Sequence, residues 1–469
     1  AAGGSAAGPG VVLASPAVFA APERSDPAAL GRIGGTRARG VVLVMIDTLR
    51  ADHTQPYGRT RVRAPALQAL ADGGALFERF SAVEDWTKPT CATMLTGLYP
   101  WTHRAQTEDA RLGASVRMMT EDLRERGVRT AGFVANGYVS DRFGFQRGWD
   151  HYVNYIREGK KTDAEYVLGD ASAWIEANRS GRFFAYVHTI DPHVPYAPPP
   201  EFLRPYHDGA YSGPVEARKT HLQLDEIKRG ALRVGDRDKE YIRALYAGEI
   251  GYHDHHLGRF LARLGEIGLL DETMIVVTSD HGEEFWERGS VGHGHSIFQE
   301  LVHVPFILAW KGTIPAGVRI ADNHDHAAIV PTILDAMGLD PPDHIEGRSV
   351  LPRALGREEP GPHGGFSTHQ GERMAVWSGR HKLQMNGLAR GALFDLAEDP
   401  GSERDLDDAR PITLRYMRSV LGQFLGAPDK RRWREAALAR ANVTPAALEK
   451  VEIDARTQQQ LEALGYIRG

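Results

Sequence analysis

The chain has 469 residues, which is enough to bury a large core and to form two or three domains. Charged residues make up 25% of it, hydrophobic residues 42%, and the formal net charge is −5, so the composition gives no support for a nucleic-acid partner or for binding to an anionic membrane surface. The single cysteine excludes an internal disulfide bond and a cysteine-rich zinc cluster.

Residues 1–39 are predicted to be a flexible N-terminal segment. The first 22 residues carry no charge and are rich in Ala, Gly and Pro, and we expect a tether that follows a removed export signal. This predicts a periplasmic or secreted protein, although a trimmed cytoplasmic chain would show the same pattern. No apolar run in the sequence reaches the length of a transmembrane helix.

Apolar runs and amphipathic stretches alternate along the next part of the chain. The runs predict buried strands at 40–47, 130–136, 182–191 and 273–280, and the stretches predict helices at 64–74, 114–126 and 240–267. Such alternation is typical of an α/β fold with a mostly parallel central sheet flanked by helices. Ligands of such folds bind beyond the carboxyl ends of the strands.

The pattern also predicts the domain organisation. Residues 40–350 form the predicted catalytic domain, and the Pro-, Gly- and charge-rich stretch 197–235 is expected to be a long excursion over its ligand-binding edge. A smaller α+β subdomain at 351–410 and a charged helical tail at 411–469 complete the prediction.

Three of the predicted strands end in an aspartate, at positions 47, 191 and 280. A single aspartate after a strand is usually a turn or cap residue, but two of these three have a histidine within two positions, namely His193 and His281. The glycine-flanked loop 289–296 adds His293 and His295. Carboxylates and imidazoles in this mixture suit zinc or a similar divalent ion, and their number is sufficient for two.

The stretch DWTKPTCATMLTGLYP, residues 85–100, has a pattern typical of a reactive side chain at the start of a helix. Pro89 suits a first helical turn and Thr96-Gly97 would end the helix. Thr87 would then lie at the N-terminus, where free N–H groups favour an anion, either as a nucleophile or as a simple N-cap. Cys91 falls one turn later and is most simply a small buried apolar residue.

Five segments together resemble the sulfatase-type members of the alkaline phosphatase superfamily. In chain order they are VVLVMIDTLRADHTQPYG, WTKPTCATMLTGLYP, DPHVPYAPP, SDHGEEFWERGSVGHGHS and GRHKLQMN with LFDLAEDPGSERDL. The resemblance implies an alkaline-phosphatase-like fold and ester hydrolysis. It also places Thr87 where sulfatases have the Cys or Ser that is oxidised to formylglycine, and Cys91 where they have an arginine. Since threonine cannot form that aldehyde, the match is closer to superfamily members that use an unmodified Ser or Thr.

The resemblance also implies the metal ligands. One site would be formed by Asp47, Thr87, Asp280 and His281, with Thr48 standing where sulfatases often have a second aspartate. A second site would be formed by the remaining candidates, Asp191, His193 and His295. His193 follows its aspartate by two positions and not by the four of the two-zinc pattern. We expect two divalent ions, with zinc preferred and manganese or calcium as alternatives.

The remaining candidates concern catalysis and substrate binding. His293 lies where many sulfatases have a lysine and is a candidate catalytic residue, although the roles of His293 and His295 could be reversed. Asn136 could donate to a substrate oxygen or simply end a strand, and Thr107 and His103 are weaker substrate-binding candidates.

These residues predict a metal-dependent hydrolase of phosphoric monoesters or diesters that acts through Thr87. The alternatives are a sulfatase with relaxed specificity, a transferase that moves a phosphoalcohol group, and an inactive binding module. The expected partner is a small-molecule, glycan or lipid ester, and the oligomeric state is left open.

Overall fold

A computed structural model describes residues 37–58, 62–358, 364–387, 390–426 and 448–463. The predicted tether at 1–22 lies outside these ranges, as do parts of the predicted helical tail. No helix among the described residues is both long and apolar enough to cross a membrane.

Eight strands form the central sheet, in the order β10-β2-β9-β6-β1-β5-β3-β4. They are β1 (Gly40–Ile46), β2 (Ala75–Ser81), β3 (Arg129–Val134), β4 (His151–Asn154), β5 (Phe183–Thr189), β6 (Thr273–Thr278), β9 (Phe306–Ala309) and β10 (Val318–Asp325). All neighbours are parallel except that β9 runs antiparallel to both β2 and β6. The predicted fold class is therefore confirmed, and the four predicted strands form the middle of the sheet.

Burial on both faces explains why these strands read as continuous apolar runs. Along β1, Val41, Leu43 and Met45 belong to one hydrophobic cluster, while Val42, Val44 and Ile46 belong to another. Alternate residues of a strand point to opposite faces, so the two clusters are the two helical layers that cover the sheet.

The helices pack on both sides of the sheet and in the tail. They are α1 (Pro65–Asp72), α2 (Thr87–Thr96), α3 (Pro100–His103), α4 (Met119–Glu125), α5 (Tyr155–Glu158), α6 (Ala164–Ala177), α7 (Pro200–Leu203), α8 (Thr220–Lys228), α9 (Asp236–Glu266), α10 (Gln299–Val302), α11 (Ile329–Ala336), α12 (Leu351–Ala354), α13 (Pro411–Gly426) and α14 (Ala455–Ala463). The helix predicted at 114–126 is shorter, because the Glu121 side chain accepts a hydrogen bond from Met118 N at 2.9 Å and fixes a later start. The predicted excursion at 197–235 carries α7 and α8.

Two smaller sheets complete the fold. The strands β7 (Glu284–Phe285) and β8 (Val291–Gly292) form a hairpin that leads into the histidine loop. The strands β11 (Gly364–His369), β12 (Arg373–Ser378), β13 (His381–Asn386) and β14 (Arg390–Asp395) form an antiparallel sheet, against which α13 packs. This sheet corresponds to the predicted C-terminal α+β unit, while the exact domain boundaries stay a prediction.

Candidate active site

Three chain segments meet at the carboxyl edge of the central sheet. Asp47 directly follows β1, Asp280 follows β6, and Thr87 is the first residue of α2, which follows β2. Because β1 and β6 are adjacent parallel strands, their carboxyl ends lie side by side. This edge is where ligands bind in α/β folds.

Asp47, Asp280 and His281 form a compact group of potential metal ligands. One oxygen or nitrogen atom from each lies within 4.8 Å of the others, and all three side chains are fully buried. His281 Nδ1 lies 2.9 Å from the carbonyl oxygen of Gly282. Since a carbonyl can only accept, Nδ1 carries a proton. Nε2 lies 3.4 Å from Asp280 Oδ2. A neutral ring with its proton on Nδ1 is the tautomer that binds a metal through Nε2.

Two buried oxygen atoms at this group lack a hydrogen-bond partner among the described residues, namely Asp280 Oδ2 and Thr48 Oγ1. Thr48 adopts a left-handed backbone conformation with φ of 57°, which a β-branched residue rarely does, and its N–H donates to Asp280 Oδ1 at 3.1 Å. Buried polar atoms are normally satisfied. The donor set and its unsatisfied oxygens therefore fit a divalent cation.

The electrostatics of the two carboxylates fit a cation as well. Burial and the neighbouring charge of Asp47 raise the pKa of Asp280. Burial also acts to raise the pKa of Asp47, but the facing imidazoles, led by that of His193, outweigh it and hold this pKa below its ordinary value. Two ionised carboxylates at such close range repel each other, and a divalent ion bound between them would remove that repulsion.

Thr87 rather than Cys91 faces the metal-ligand group. Thr87 is fully buried, and its Oγ1 lies 3.3 Å from His281 Nε2. Cys91 lies one turn along α2, where its sulfur accepts a hydrogen bond from Tyr186 OH at 3.4 Å and belongs to the hydrophobic core. Burial raises the pKa of the Cys91 thiol well above its ordinary value, so the thiolate is disfavoured.

Two further side chains hold Asp47, and one of them was not predicted from the sequence. Asn136 Nδ2 donates to Asp47 Oδ2 at 2.8 Å, and His188 Nε2 lies 3.2 Å from the same oxygen. His188 lies within β5, two residues after Tyr186, whose hydroxyl is 3.1 Å from His188 Nδ1. Tyr186 and His188 are polar side chains on one face of an otherwise apolar strand. This break in the apolar pattern is the sequence feature from which His188 could have been predicted.

The His293 ring lies between those of His281 and His193, in contact with both. The ring centroid of His293 is 4.4 Å from that of His281 and 5.0 Å from that of His193. Burial lowers the pKa of His293 to about 4, so the neutral ring donates its Nδ1 proton to Glu283 Oε1 at 3.0 Å. The other oxygen of Glu283 accepts a hydrogen bond from Tyr196 OH at 2.6 Å. The orientation of His293 is thereby fixed by a buried carboxylate.

The second predicted ligand set is not brought together. Within the part of the chain that the structure describes, Asp191, His193 and His295 do not form a group of neighbouring ligand atoms. Asp191 Oδ2 instead accepts a hydrogen bond from Ala164 N at the start of α6, at 2.8 Å. His295 Nε2 lies 2.7 Å from Glu284 Oε2. Asp191 therefore acts as a helix-terminal acceptor, and only His193 of this set stands at the site.

Two predicted substrate-binding residues, Thr107 and His103, make their hydrogen bonds to residues outside the ligand group. Thr107 is exposed, and its hydroxyl donates to Asp109 at 2.7 Å. His103 is fully buried between the hydroxyl of Thr93, 3.2 Å from its Nε2, and the N–H of Ala105, 3.1 Å from its Nδ1. Both of its ring nitrogens are thus used inside the protein.

Comparison with known proteins identifies the family. The sulfatase family model matches residues 39–339. This chain belongs to the sulfatase family. The chain is accordingly a hydrolase of ester bonds, and its family is one of metal-dependent hydrolases, as the sequence motifs predicted.

The similar proteins include both a sulfatase and a phosphonate monoester hydrolase. The multifunctional alkaline phosphatase superfamily protein PehA of Trinickia caryophylli is 23% identical over 397 residues, which cover 67% of this chain and 76% of that protein. The arylsulfatase of Clostridium perfringens is 23% identical over 460 residues, covering 81% and 93%. The phosphonate monoester hydrolase of Agrobacterium radiobacter has a similar fold, with a TM-score of 0.67 at 22% identity and coverage of 85% and 95%.

Proposed function

We propose that this protein is a metal-dependent hydrolase of phosphoric esters and that Thr87 is its nucleophile. The observation that carries the proposal is the position of the Thr87 hydroxyl, 3.3 Å from His281 Nε2 at the N-terminus of α2. An unmodified hydroxyl next to a group of metal ligands suits displacement at phosphorus. The chain has no cysteine at this position and its single cysteine is buried in the core, which disfavours formylglycine chemistry.

Asp47, Asp280 and His281 would hold one divalent ion, with the hydroxyls of Thr48 and Thr87 beside them. Two carboxylates and one imidazole suit zinc first, with manganese as the alternative and calcium a poorer match because of the nitrogen ligand. The unsatisfied Asp280 Oδ2 supports this site. The ligand set predicted for a second ion, Asp191, His193 and His295, does not form such a group among the described residues.

A divalent ion bound there would act as a Lewis acid toward the substrate oxygens and would lower the pKa of the Thr87 hydroxyl. Thr87 Oγ1 attacks phosphorus, its bond to the phosphoryl group forms as the bond to the leaving alcohol breaks, and a phosphothreonine results. The backbone N–H groups at the start of α2 face the charge on the phosphoryl oxygens. Attack of water on phosphorus then releases phosphate and restores the hydroxyl of Thr87.

His293 is proposed to move protons in this reaction. Its Nδ1–H donates to Glu283, so Nε2 is the ring nitrogen on the side away from that carboxylate. The His293 ring itself lies beside the ring of His281. An imidazole in this orientation can accept the proton of the Thr87 hydroxyl and pass it to the leaving alcohol. In the second step it can accept a proton from the attacking water and pass it to Thr87 Oγ1. Asn136 holds Asp47 and is proposed to keep the ligand group aligned.

The sulfatase alternative is favoured by the family and by the arylsulfatase relative. A panel of matched esters separates it from the main proposal: 4-nitrophenyl phosphate, bis(4-nitrophenyl) phosphate and 4-nitrophenyl sulfate, each measured with zinc, manganese and calcium. We expect a phosphate ester to have the highest kcat/KM with zinc. A sulfate ester as the best substrate would overturn the proposal. Transfer of the phosphoryl-bearing group to an added alcohol in place of water would identify the transferase alternative.

A further inference from the structure

The C-terminal sheet reaches the active-site edge through a parallel contact. The segment that links β2 to α2 runs beside β11, with Thr368 N donating to Val83 O at 2.8 Å and a parallel bridge between Glu84 and Thr368. Since the two segments run in the same direction, the end of β11 lies at the edge where α2 begins. The turn between β11 and β12, residues 369–373, is therefore brought next to the segment that carries Thr87.

His369, at the end of β11, is held by a buried carboxylate in this position. Its Nδ1 lies 2.8 Å from Asp85 Oδ1, and the side chain of Asp85 is fully buried two residues before Thr87. The second oxygen of Asp85 accepts a hydrogen bond from Ser296 N at 2.9 Å. Asp85 thus links three elements of the site: the start of α2, the histidine loop and β11.

The other ring nitrogen of His369 remains available. The side chain is 14% exposed, and among the described residues no hydrogen bond reaches Nε2. With a carboxylate accepting the proton of Nδ1, the ring cannot rotate without losing that bond, so Nε2 has a fixed direction. A neutral Nε2 accepts a hydrogen bond and a protonated one donates, and a hydroxyl group can satisfy either.

Glu84, Asp85 and His369 also lie close enough together to hold a metal ion, but their oxygens are in use. Glu84 Oε1 accepts hydrogen bonds from Gln106 Nε2 at 3.3 Å and from Gln370 N at 3.2 Å, and both oxygens of Asp85 are bonded as described. Burial and the charge of Asp85 raise the pKa of Glu84 well above its ordinary value, which favours its neutral form. The oxygens of this group are therefore satisfied by hydrogen bonds within the protein, and we do not assign a cation site to it.

Arg373 contacts the histidine loop from the first residue of β12. Its guanidinium donates to the carbonyl oxygen of His295, and no carboxylate of the described residues lies within ion-pair distance of it. In the same loop, Lys228 of α8 donates to the carbonyl oxygen of His293 at 3.5 Å. The loop that carries His293 is therefore held at two of its carbonyl groups, one of them bound by Arg373 from the turn 369–373.

We propose that His369, positioned by Asp85, contacts the leaving group of the substrate and selects leaving groups that carry hydroxyl groups, such as a sugar or a polyol. This proposal rests on the proposed ester hydrolysis at Thr87 and names its substrate class. A hydroxyl group can both donate and accept a hydrogen bond, so it pairs with Nε2 in either protonation state of the ring.

The test compares two phosphate esters with different leaving groups, glucose 6-phosphate and 4-nitrophenyl phosphate. In His369→Ala, the ratio of kcat/KM for glucose 6-phosphate to that for 4-nitrophenyl phosphate should fall about tenfold, which is the size of one lost hydrogen bond. His369→Gln keeps a hydrogen-bonding group and should restore part of the ratio. His381 of β13, which faces Asp395, is the matched control, and His381→Ala should leave the ratio unchanged.

A binding measurement separates this proposal from the one on which it rests. In a Thr87→Ala background, calorimetric binding of glucose 6-phosphate should weaken about tenfold on adding His369→Ala, while binding of inorganic phosphate stays the same. Weakening of both ligands alike, or of neither, would overturn the role of His369 whatever the rate measurements show. If wild-type protein hydrolyses sulfate esters but no phosphate ester, the proposed function fails, and glucose 6-sulfate then replaces glucose 6-phosphate in the same comparison.

Discussion

At the scale of single residues, the central question is whether Thr87 or Cys91 is the nucleophile. Both lie in α2, but only Thr87 faces the ligand group, while Cys91 packs in the core against Tyr186. A hydroxyl next to metal ligands and a thiol whose ionisation is disfavoured by burial have very different reactivity. The local environment, and not the intrinsic reactivity of the side chain, is therefore what favours Thr87 as the proposed nucleophile.

We predict that Thr87→Ala lowers kcat by at least about 1,000-fold, because the attacking atom is lost while the metal ligands remain. Thr87→Ser keeps the hydroxyl and should retain measurable turnover. Cys91→Ser is the control: it should keep most activity and lower the free energy of unfolding only modestly. Steady-state kinetics with 4-nitrophenyl phosphate measure all three variants. Full activity in Thr87→Ala together with loss in Cys91→Ser would mean that the register of the motif is wrong.

The site residues that could be predicted from the sequence are those at the ends of strands or at the start of a helix, where a local sequence pattern identifies them. Asp47 and Asp280 end apolar runs, and Thr87 begins a helix with recognisable start and stop signals. Asp191 shows the same pattern as Asp47, yet its carboxylate accepts a hydrogen bond from the start of α6, which no local signal distinguishes. The contact between Asp85 and His369 joins residues 284 positions apart and depends on the pairing of β11 with the linker to α2. Long-range contacts of this kind leave no trace in local periodicity.

At the scale of elements, the segment after β6 is fixed by a close approach of backbones. Gly282 N donates to Leu301 O at 2.8 Å, and a Cβ at Gly282 would lie 2.1 Å from the carbonyl oxygen of Glu300. A side chain larger than glycine must therefore displace the backbone next to His281. The metal-ligand group thus depends on α10 even though α10 contributes no ligand to it.

We predict that Gly282→Ala lowers the free energy of unfolding by about 1–3 kcal/mol and weakens zinc binding, because the added methyl group forces the backbone next to His281 to shift. Gly169 on α6 is a matched control, since nothing lies within 4 Å of a Cβ built there, and Gly169→Ala should leave zinc binding unchanged. Urea unfolding and zinc titration measure both effects. Unchanged zinc affinity in Gly282→Ala would show that the close contact does not position His281.

The C-terminal sheet is joined to the catalytic core through a buried lysine of β13. Lys382 is fully buried, donates to Ile297 O at 2.6 Å and lies 5.0 Å from the ring centroid of Trp377. Burial lowers its pKa to about 7. In the unfolded chain the same group keeps its proton to about pH 10. Unfolding therefore takes up a proton between these two pH values, and the free energy of unfolding should rise as the pH is raised through this range.

We predict that Lys382→Met removes this rise, so that the free energy of unfolding of the variant depends less on pH between 7 and about 10 than that of the wild type. Lys311 is exposed and ion-paired with Asp271 at 2.8 Å, and Lys311→Met should keep the wild-type slope. Denaturant unfolding at pH 7, 8 and 9 gives the comparison. An equal slope in Lys382→Met and wild type would contradict a neutral buried lysine in the folded state.

At the scale of the whole molecule, the fold follows from a small number of sequence signals. Buried parallel strands and the helices between them were predictable because each strand is covered on both faces and so reads as a continuous apolar run. The strands β2, β4, β9 and β10 were not predicted, and they form the two outer parts of the sheet and the antiparallel insertion. Short strands, such as the four-residue β4 and β9, and strands with many polar residues, such as β10, resemble loops in a single sequence.

Metal binding and folding should be coupled across the catalytic domain, since the ligands come from the ends of β1 and β6. We predict that chelation lowers the melting temperature and that zinc restores it, because an ion that binds only the folded state at 100 times its dissociation constant contributes about 2.7 kcal/mol. Asp280→Asn should lose the response to zinc. Differential scanning calorimetry with and without zinc tests this, and an equal zinc shift in Asp280→Asn and wild type would place the bound ion elsewhere.

The most direct measurement of the central claim is mass spectrometry of the chain after rapid acid quenching during turnover of 4-nitrophenyl phosphate. If Thr87 attacks phosphorus, one phosphoryl group will be found on the peptide that contains Thr87, and it will be absent from Thr87→Ala and from protein quenched before substrate is added. A phosphoryl group on another residue, or turnover without any modified peptide at a time resolution shorter than one catalytic cycle, would contradict the account.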